Sequence, residues 1–294
     1  MKLIWNHAYI LMILTALAWS GNTITGKGLS DLIPPIGLAF WRWIIAIPIL
    51  MLMSWPHLRK DLPLLKENWL IVLILSILSI TTYNTIIYYG LHTTTAINAL
   101  LINTARPSVI VLLSILIFHK GITLKQSIGF ILATIGTVLI VIRGDLDRLF
   151  LLNFSSGDLW ILLAMCCWAL FTVLLEKRPK IHATTFLFVT VTLGAAILLP
   201  FYLWEAFFIK PTPFRIETVG SVMYLSIIAT IAAFLFYNRA VEIAGANKAG
   251  QVSYMLPIFG VSLAIIILGE KFQLYHMIGF PLILCGVYFG SKGH

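Results

Sequence analysis

Two short stretches hold the side chains whose chemistry has to be explained first. Residues 21–28 read GNTITGKG, which fits the G-x-x-x-x-G-K pattern of a loop whose backbone N–H groups cradle phosphates while its lysine, here Lys27, reaches the outer one. The next position of that pattern should supply a hydroxyl for Mg²⁺, and here it is Gly28. A strand should precede the loop, yet HAYILMILTALAWS is an apolar run without turn signals, and LSDLIPP follows. The nucleotide reading is rejected. The second stretch is Asn103-Thr104-Ala105-Arg106-Pro107. Arg106 falls halfway along an apolar run, where a charge costs at least about 2.5 kcal/mol on insertion scales and needs a partner or a task. Pro107 frees a carbonyl one turn back, and Asn103 shares a helical face with Arg106. Two readings stand side by side: a guanidinium that anchors a carboxylate or other anionic group of a substrate, or an arginine that braces the proline kink through nearby carbonyls.

The elements that carry these residues follow from composition. The chain has 294 residues, 60% hydrophobic and 11% charged, where a soluble domain carries about 25% charged residues. Apolar runs of about 20 residues recur throughout, the length that crosses a bilayer's hydrocarbon core as helix. The expectation is an all-α polytopic membrane protein. The lipid bilayer is then one partner, and a small-molecule substrate the other if the chain is a carrier. The net charge of +9 reads as the excess of Lys and Arg in cytoplasmic loops, not as a nucleic-acid surface. Cys166, Cys167 and Cys285 lie inside apolar runs, so neither a disulfide framework nor a metal site is expected; they read as small packing residues. Ala16-Leu17-Ala18 has the form of a signal-peptidase site, but the first run has a counterpart later in the chain and is expected to be retained.

Ten spans can be read, near 8–26, 34–53, 68–89, 94–118, 123–142, 157–176, 184–208, 218–241, 246–269 and 274–290. With the N-terminus inside, the inner segments hold Lys2, Arg59, Lys60, Lys66, Lys120, Lys125, Lys177, Arg178, Lys180, Lys248 and Lys292. The outer ones hold Lys27, Arg143, Arg148, Lys210, Arg215 and Lys271. Eleven against six places both termini in the cytoplasm, with the inner cell membrane the expected location. Shifted by 150 positions, residues 87–140 align with 237–290 without a gap, pairing Pro107 with Pro257, Gly129 with Gly279 and Gly136 with Gly286. Trp19 meets Trp168 at a shift of 149. Five spans per repeat means that the second copy enters the membrane upside down, so the expected units are inverted repeats over residues 1–145 and 146–294. Inverted repeats suit a carrier that exposes one midplane site alternately to each side.

The motifs LAFWRW at 38–43, the proline-centred fourth span and LGEKFQLYHMIGFPLILCGV at 268–287 resemble the EamA-type branch of the drug/metabolite transporter superfamily. The resemblance covers essentially the whole chain. It implies a ten-helix carrier, commonly an exporter of amino acids, metabolites or drugs, with a cavity built largely from spans one, three, four, six, eight and nine. Leu268-Gly269-Glu270 matches the family pattern, whereas the first repeat reads Phe118-His119-Lys120 at that place. Lys27 reads as an interfacial, snorkelling charge.

The candidate cavity lining is Arg106, Asn103, Asn22, Tyr83, Asn84 and Trp168, with Gln251 and Tyr254 from a second stripe in span nine that also holds Asn247. Superposition of the repeats sets that stripe nearly opposite Asn103 and Arg106, and Arg106 has the stronger claim. Arg42 reads as structural, within reach of the outer headgroups, and Arg239 with Glu242 as a helical ion pair. The glycines of spans five and ten suit close packing within the scaffold, so a monomer or weak homodimer is expected. No hydrolase motif occurs, and Glu176, Glu205, Glu242 and Glu270 cluster towards span ends. An enzyme is not expected, nor any cofactor or metal. A lipid-handling flippase or membrane enzyme is the alternative reading.

Overall fold

In hydrocarbon a backbone N–H or C=O has no water to bond, so an apolar run of this length closes its hydrogen bonds within itself as a helix. The computed structural model describes residues 5–118, 123–147, 155–213, 215–244, 249 and 252–291. Among them it builds ten helical rods and no strand. They are α1 (Ala8–Gly28), α2 (Pro35–Glu67), α3 (Trp69–Leu91), α4 (Ala96–Ile102, a 3₁₀ turn Asn103–Ala105, then Arg106–Phe118) and α5 (Leu124–Val141). The second set is α6 (Ser156–Leu174), α7 (Ala183–Phe208), α8 (Ile216–Ala244), α9 (Val252–Leu268) and α10 (Leu274–Ser291). Seven are long and apolar enough to cross a membrane, and α5, α9 and α10 contain shorter apolar helices. The chain is a multi-pass membrane protein.

GNTITGKG is the last part of the unbroken helix α1, not a loop. Gly26 is small because Tyr88 packs on it; a Cβ there would lie 2.8 Å from that ring. Lys27 does not snorkel. Its Nζ donates to the Leu91 carbonyl at 2.8 Å, where the negative end of α3 suits a cation.

Three pairs of counterpart helices meet antiparallel: α2 with α7, α4 with α9 and α5 with α10. At the start of α2, the Ile36 and Gly37 N–H groups donate to Glu205 near the end of α7, at 3.1 and 2.6 Å. At the start of α7, the His182 N–H donates to Asp61 of α2 at 3.2 Å. Two helices thus cap each other's N-termini with carboxylates, the charge sign that a helix start favours. Glu270, just past α9, accepts from Ala96 and Ile97 N–H at 2.7 and 2.9 Å, so the end of α9 meets the start of α4. Gly136 of α5 faces Gly279 of α10, and Gly129 faces Gly286. A helix and its copy that run in opposite directions make two inverted five-helix repeats. The same register appears in the π-helical turns Ile77–Tyr83 of α3 and Ile227–Ala232 of α8.

The cysteines depart from the packing role read from sequence, and the tryptophans divide between surface and core. Cys166 and Cys285 are exposed on the outside of the bundle rather than packed within it, and Cys167 is partly so. Trp5, Trp55, Trp69, Trp160 and Trp204 are exposed, as an interfacial belt should be, but Trp43 is fully buried. Trp41 is half-buried, its Nε1 donating to the Tyr202 hydroxyl at 3.0 Å.

The α5–α10 contact is tight enough to test. A Cβ on Gly136 would come within 2.6 Å of the Gly279 carbonyl oxygen, whereas one on Gly220 of α8 would meet nothing within 4 Å. Gly136→Val is expected to destabilise the purified protein by about 1–3 kcal/mol, the usual cost of overpacking. Gly220→Ala should leave the thermal midpoint unchanged or higher, read by a melt of the two variants in one detergent.

Candidate substrate cavity

A cavity opens among α1, α2, α3, α4, α6, α8 and α9. It gathers six of the residues singled out from sequence: Asn22, Tyr83, Asn84, Asn103, Arg106 and Trp168. It adds Trp19, Thr23, Arg42, Ile87, Leu100, Phe234 and Leu256. Gln251 and Asn247 lie outside the described residues, as does the side chain of Tyr254, whose backbone belongs to α9.

Local backbone chemistry sets the central side chains. Because Pro107 has no N–H to give to the Asn103 carbonyl, α4 tightens into a 3₁₀ turn, and the Arg106 N–H takes that carbonyl instead. The proline kink therefore needs no guanidinium to satisfy it. Asn103 is held by its Nδ2, which donates to Ala99 O at 2.7 Å, and its Oδ1 accepts from Arg106 Nη2. The same Nη2 donates to the Tyr83 hydroxyl at 2.8 Å. Arg106 is 2% exposed, and its Nε is buried with no partner. Its guanidinium carbon lies 5.5 Å from the Tyr83 ring centre and 5.6 Å from that of Trp168. Tyr83 closes the π-helical turn of α3 and Asn84 follows it; the extra residue in that turn rotates both towards the cavity, a common use of such bulges.

Arg42 was read from sequence as a residue near the headgroups, and the structure corrects this. It is 1% exposed and points inward. Its Nη1 donates to Asn22 Oδ1 and Asn84 Oδ1, both at 2.8 Å, and to the Tyr88 hydroxyl at 2.6 Å. Nε and Nη2 donate to Thr230 Oγ1 at 3.1 and 2.7 Å. The Trp43 ring lies beneath, 4.5 Å away. One side chain of α2 thereby ties α1, α3 and α8 together. A charge inside an apolar run was the signal that singled out Arg106, and it applied equally to Arg42.

Aromatic rings make another part of the wall. Trp19 and Trp168, the pair matched at a shift of 149, meet edge to face at 5.3 Å. Phe234 packs on both, at 5.9 and 5.6 Å. No Asp or Glu occurs among the described residues of the lining, and no group of three or more His, Cys, Asp or Glu suited to a metal occurs among the described residues. Away from the cavity, Arg239 and Glu242 form the expected ion pair at 2.9 Å.

A model of the EamA-like transporter family matches the chain twice, over residues 6–142 and 155–291. The chain belongs to that family. It is a membrane transporter and not an enzyme. The EamA-like chain is 32% identical to an uncharacterized transporter of Archaeoglobus fulgidus across 96% of both proteins. It is 24% identical to a Salmonella typhimurium protein named "Probable amino-acid metabolite efflux pump", across 96% of this chain and 94% of that one. A solved crystal structure superposes with a TM-score of 0.67 at 18% identity, covering 96% and 95% of the two chains; that likeness speaks for the fold alone.

The two arginines differ in how far they are satisfied, and substitution should separate them. Arg42→Met would strand the oxygens of Asn22, Asn84 and Thr230, at about 1.5–3 kcal/mol for each charged hydrogen bond lost. Folded yield of this EamA-family variant is expected to collapse. Arg106→Met, which loses only two such bonds, should retain a monodisperse peak on size-exclusion chromatography at more than about half the wild-type yield, a weaker loss because hydrogen-bonded partners there are fewer.

Proposed function

We propose that this EamA-family member is an alternating-access carrier for a small metabolite with a carboxylate, and that Arg106 holds that carboxylate. The observation that carries the reading is the unspent donor capacity of Arg106: a guanidinium in the middle of a span, buried, with only Nη2 engaged and Nε unpaired. A planar fork of N–H groups in a water-poor site is suited to a carboxylate. Inverted repeats around a midplane cavity suit alternating access. The name of the Salmonella relative puts amino-acid metabolites among the candidate cargo. Export, facilitated diffusion and exchange all fit this chemistry.

The reading includes an orientation. Both termini face the cytoplasm of a cell whose inner membrane holds the carrier, which sets the ends capped by Glu205 and Glu270 outside and the Asp61–His182 contact inside. In a background with Cys166, Cys167 and Cys285 replaced, single cysteines at positions 60 and 180 should resist a membrane-impermeant maleimide in intact cells. Strong labelling of either from outside would reverse the orientation.

Coupling to protons is not part of the reading. The described lining has no carboxylate to protonate. His92, at the end of α3 beyond its last helical turn, is held below the usual histidine range, chiefly by burial, with Asp31 pulling the other way. Uptake into proteoliposomes should therefore proceed without a pH gradient and survive a protonophore.

The site itself is tested by binding. Among amino acids, nucleotide derivatives, sugars and lipids, the carboxylate that most raises the thermal midpoint supplies the probe. Arg106→Gln should weaken it by about 1.5–3 kcal/mol, or roughly ten-fold to over a hundred-fold in Kd. Arg106→Lys, which keeps the charge without the fork, should fall between. Equal affinity in wild type and Arg106→Gln would remove Arg106 from the site.

A further inference from the structure

We infer that the cavity selects a small organic anion with a flat apolar body and no ammonium group, and rejects the zwitterionic amino acid of the same shape. The inference rests on the carrier reading for the site's purpose, but it concerns only what the site binds.

Charge is the first constraint on a ligand here. Two guanidiniums, Arg42 and Arg106, reach one cavity, and every acceptor they meet among the described residues is a neutral oxygen. The site is therefore positive before a ligand arrives, in surroundings where charges are weakly screened. A carboxylate lowers that energy, and an ammonium raises it again.

An amino acid would also need a place for its ammonium donors. Buried charges persist only when paired and hydrogen-bonded. The side-chain oxygens of Asn22, Asn84, Asn103 and Tyr83 each already accept from a guanidinium, so an ammonium that shared one of them would sit beside a like charge. Asn22 Oδ1 accepts from both Arg42 and the Tyr88 hydroxyl. Asn84 Oδ1 accepts from Arg42, and Asn103 Oδ1 from Arg106. The Tyr83 hydroxyl accepts from Arg106 too. Ring faces are the usual substitute, since an ammonium can sit over an aromatic quadrupole. Here Arg106 already sits over Tyr83 and Trp168, and Arg42 over Trp43. A second cation on those rings would face a guanidinium across them.

Donors, by contrast, remain to spare. Arg106 Nε is buried and unpaired, the pattern of a site waiting for an acceptor. The rest of the ligand meets the wall of Trp19, Trp168 and Phe234, which rewards a flat apolar body over a short aliphatic or a polyhydroxylated one.

The test uses the purified full chain and a set of probes that share one phenyl ring and one chain length. These are 3-phenylpropionate (carboxylate alone), phenylalanine (carboxylate and ammonium), phenethylamine (ammonium alone) and 3-phenylpropanamide (neither), with butyrate as the acid without a ring. Isothermal titration should give 3-phenylpropionate a Kd at least ten-fold below that of phenylalanine, with the amine and butyrate weaker still. In Arg106→Gln, and in Arg106→Lys as a charge-retaining control, the gap between the acid and its amide should shrink in that order. Phenylalanine binding as tightly as 3-phenylpropionate, or neither binding, overturns the inference. The carrier reading has its own readout, flux of the bound probe into proteoliposomes. If phenylalanine were preferred and moved, the carrier would stand and this selectivity would fall; if the acid were preferred and not moved, the reverse.

Discussion

A guanidinium buried in hydrocarbon is tolerated only when its N–H groups find oxygens, and the arrangement of this bundle follows from how Arg42 finds them. From α2 it draws Asn22 of α1, Asn84 and Tyr88 of α3 and Thr230 of α8 into a single knot. None of those four partners is charged. The knot therefore fixes the relative rotation of four helices while leaving the cavity beside it electropositive. Arg106 then stands in a field already set by Arg42, with fewer hydrogen-bond partners of its own.

The backbone contributes as much as the side chains. Both π-helical turns occur next to this knot, one presenting Tyr83 and Asn84, the other presenting Thr230, whose hydroxyl returns to Leu225 O at 2.8 Å. The 3₁₀ turn before Pro107 does the same for Arg106. Irregular backbone at membrane depth is tolerated where it lines a cavity rather than lipid, and here all three irregular turns lie in helices of the lining. The repeat supplies the π turns in pairs, but their side chains differ, so the two-fold frame carries an asymmetric site.

The ends of the repeats depart from symmetry in a related way. Glu270 holds the start of α4 through two backbone N–H groups, and around it Asn98 joins Asp158 of α6 and His276 of α10. In the first repeat the position matched to Glu270 is Lys120, which has no carboxylate to offer a helix start. α2 and α7, however, exchange carboxylate caps in both directions. The frame around α2 and α7 is symmetric, while the fastening of α4 at Glu270 has no match in residue type in the other half.

Composition and the 150-residue repeat were enough to determine ten membrane helices and their inversion, because lipid forces every apolar run into a helix and an odd number of crossings forces the copy upside down. Arg106, Asn103, Asn22, Tyr83, Asn84 and Trp168 were legible as candidates because polar and large aromatic groups inside apolar runs have few other reasons to be there. Arg42 had the same signature, and its nearness to the end of an apolar run suggested the headgroups instead. Only the tertiary structure decided its role: a side chain that long can turn outward or inward, and whether oxygens from three other helices await it is a property of packing, not of spacing. The same holds for Lys27, which found a helix end rather than the interface, and for the π turns, which no local pattern in 77–83 or 227–232 announces. Periodicity specifies which residues share a face of one helix; it takes the contacts between helices to determine what that face meets.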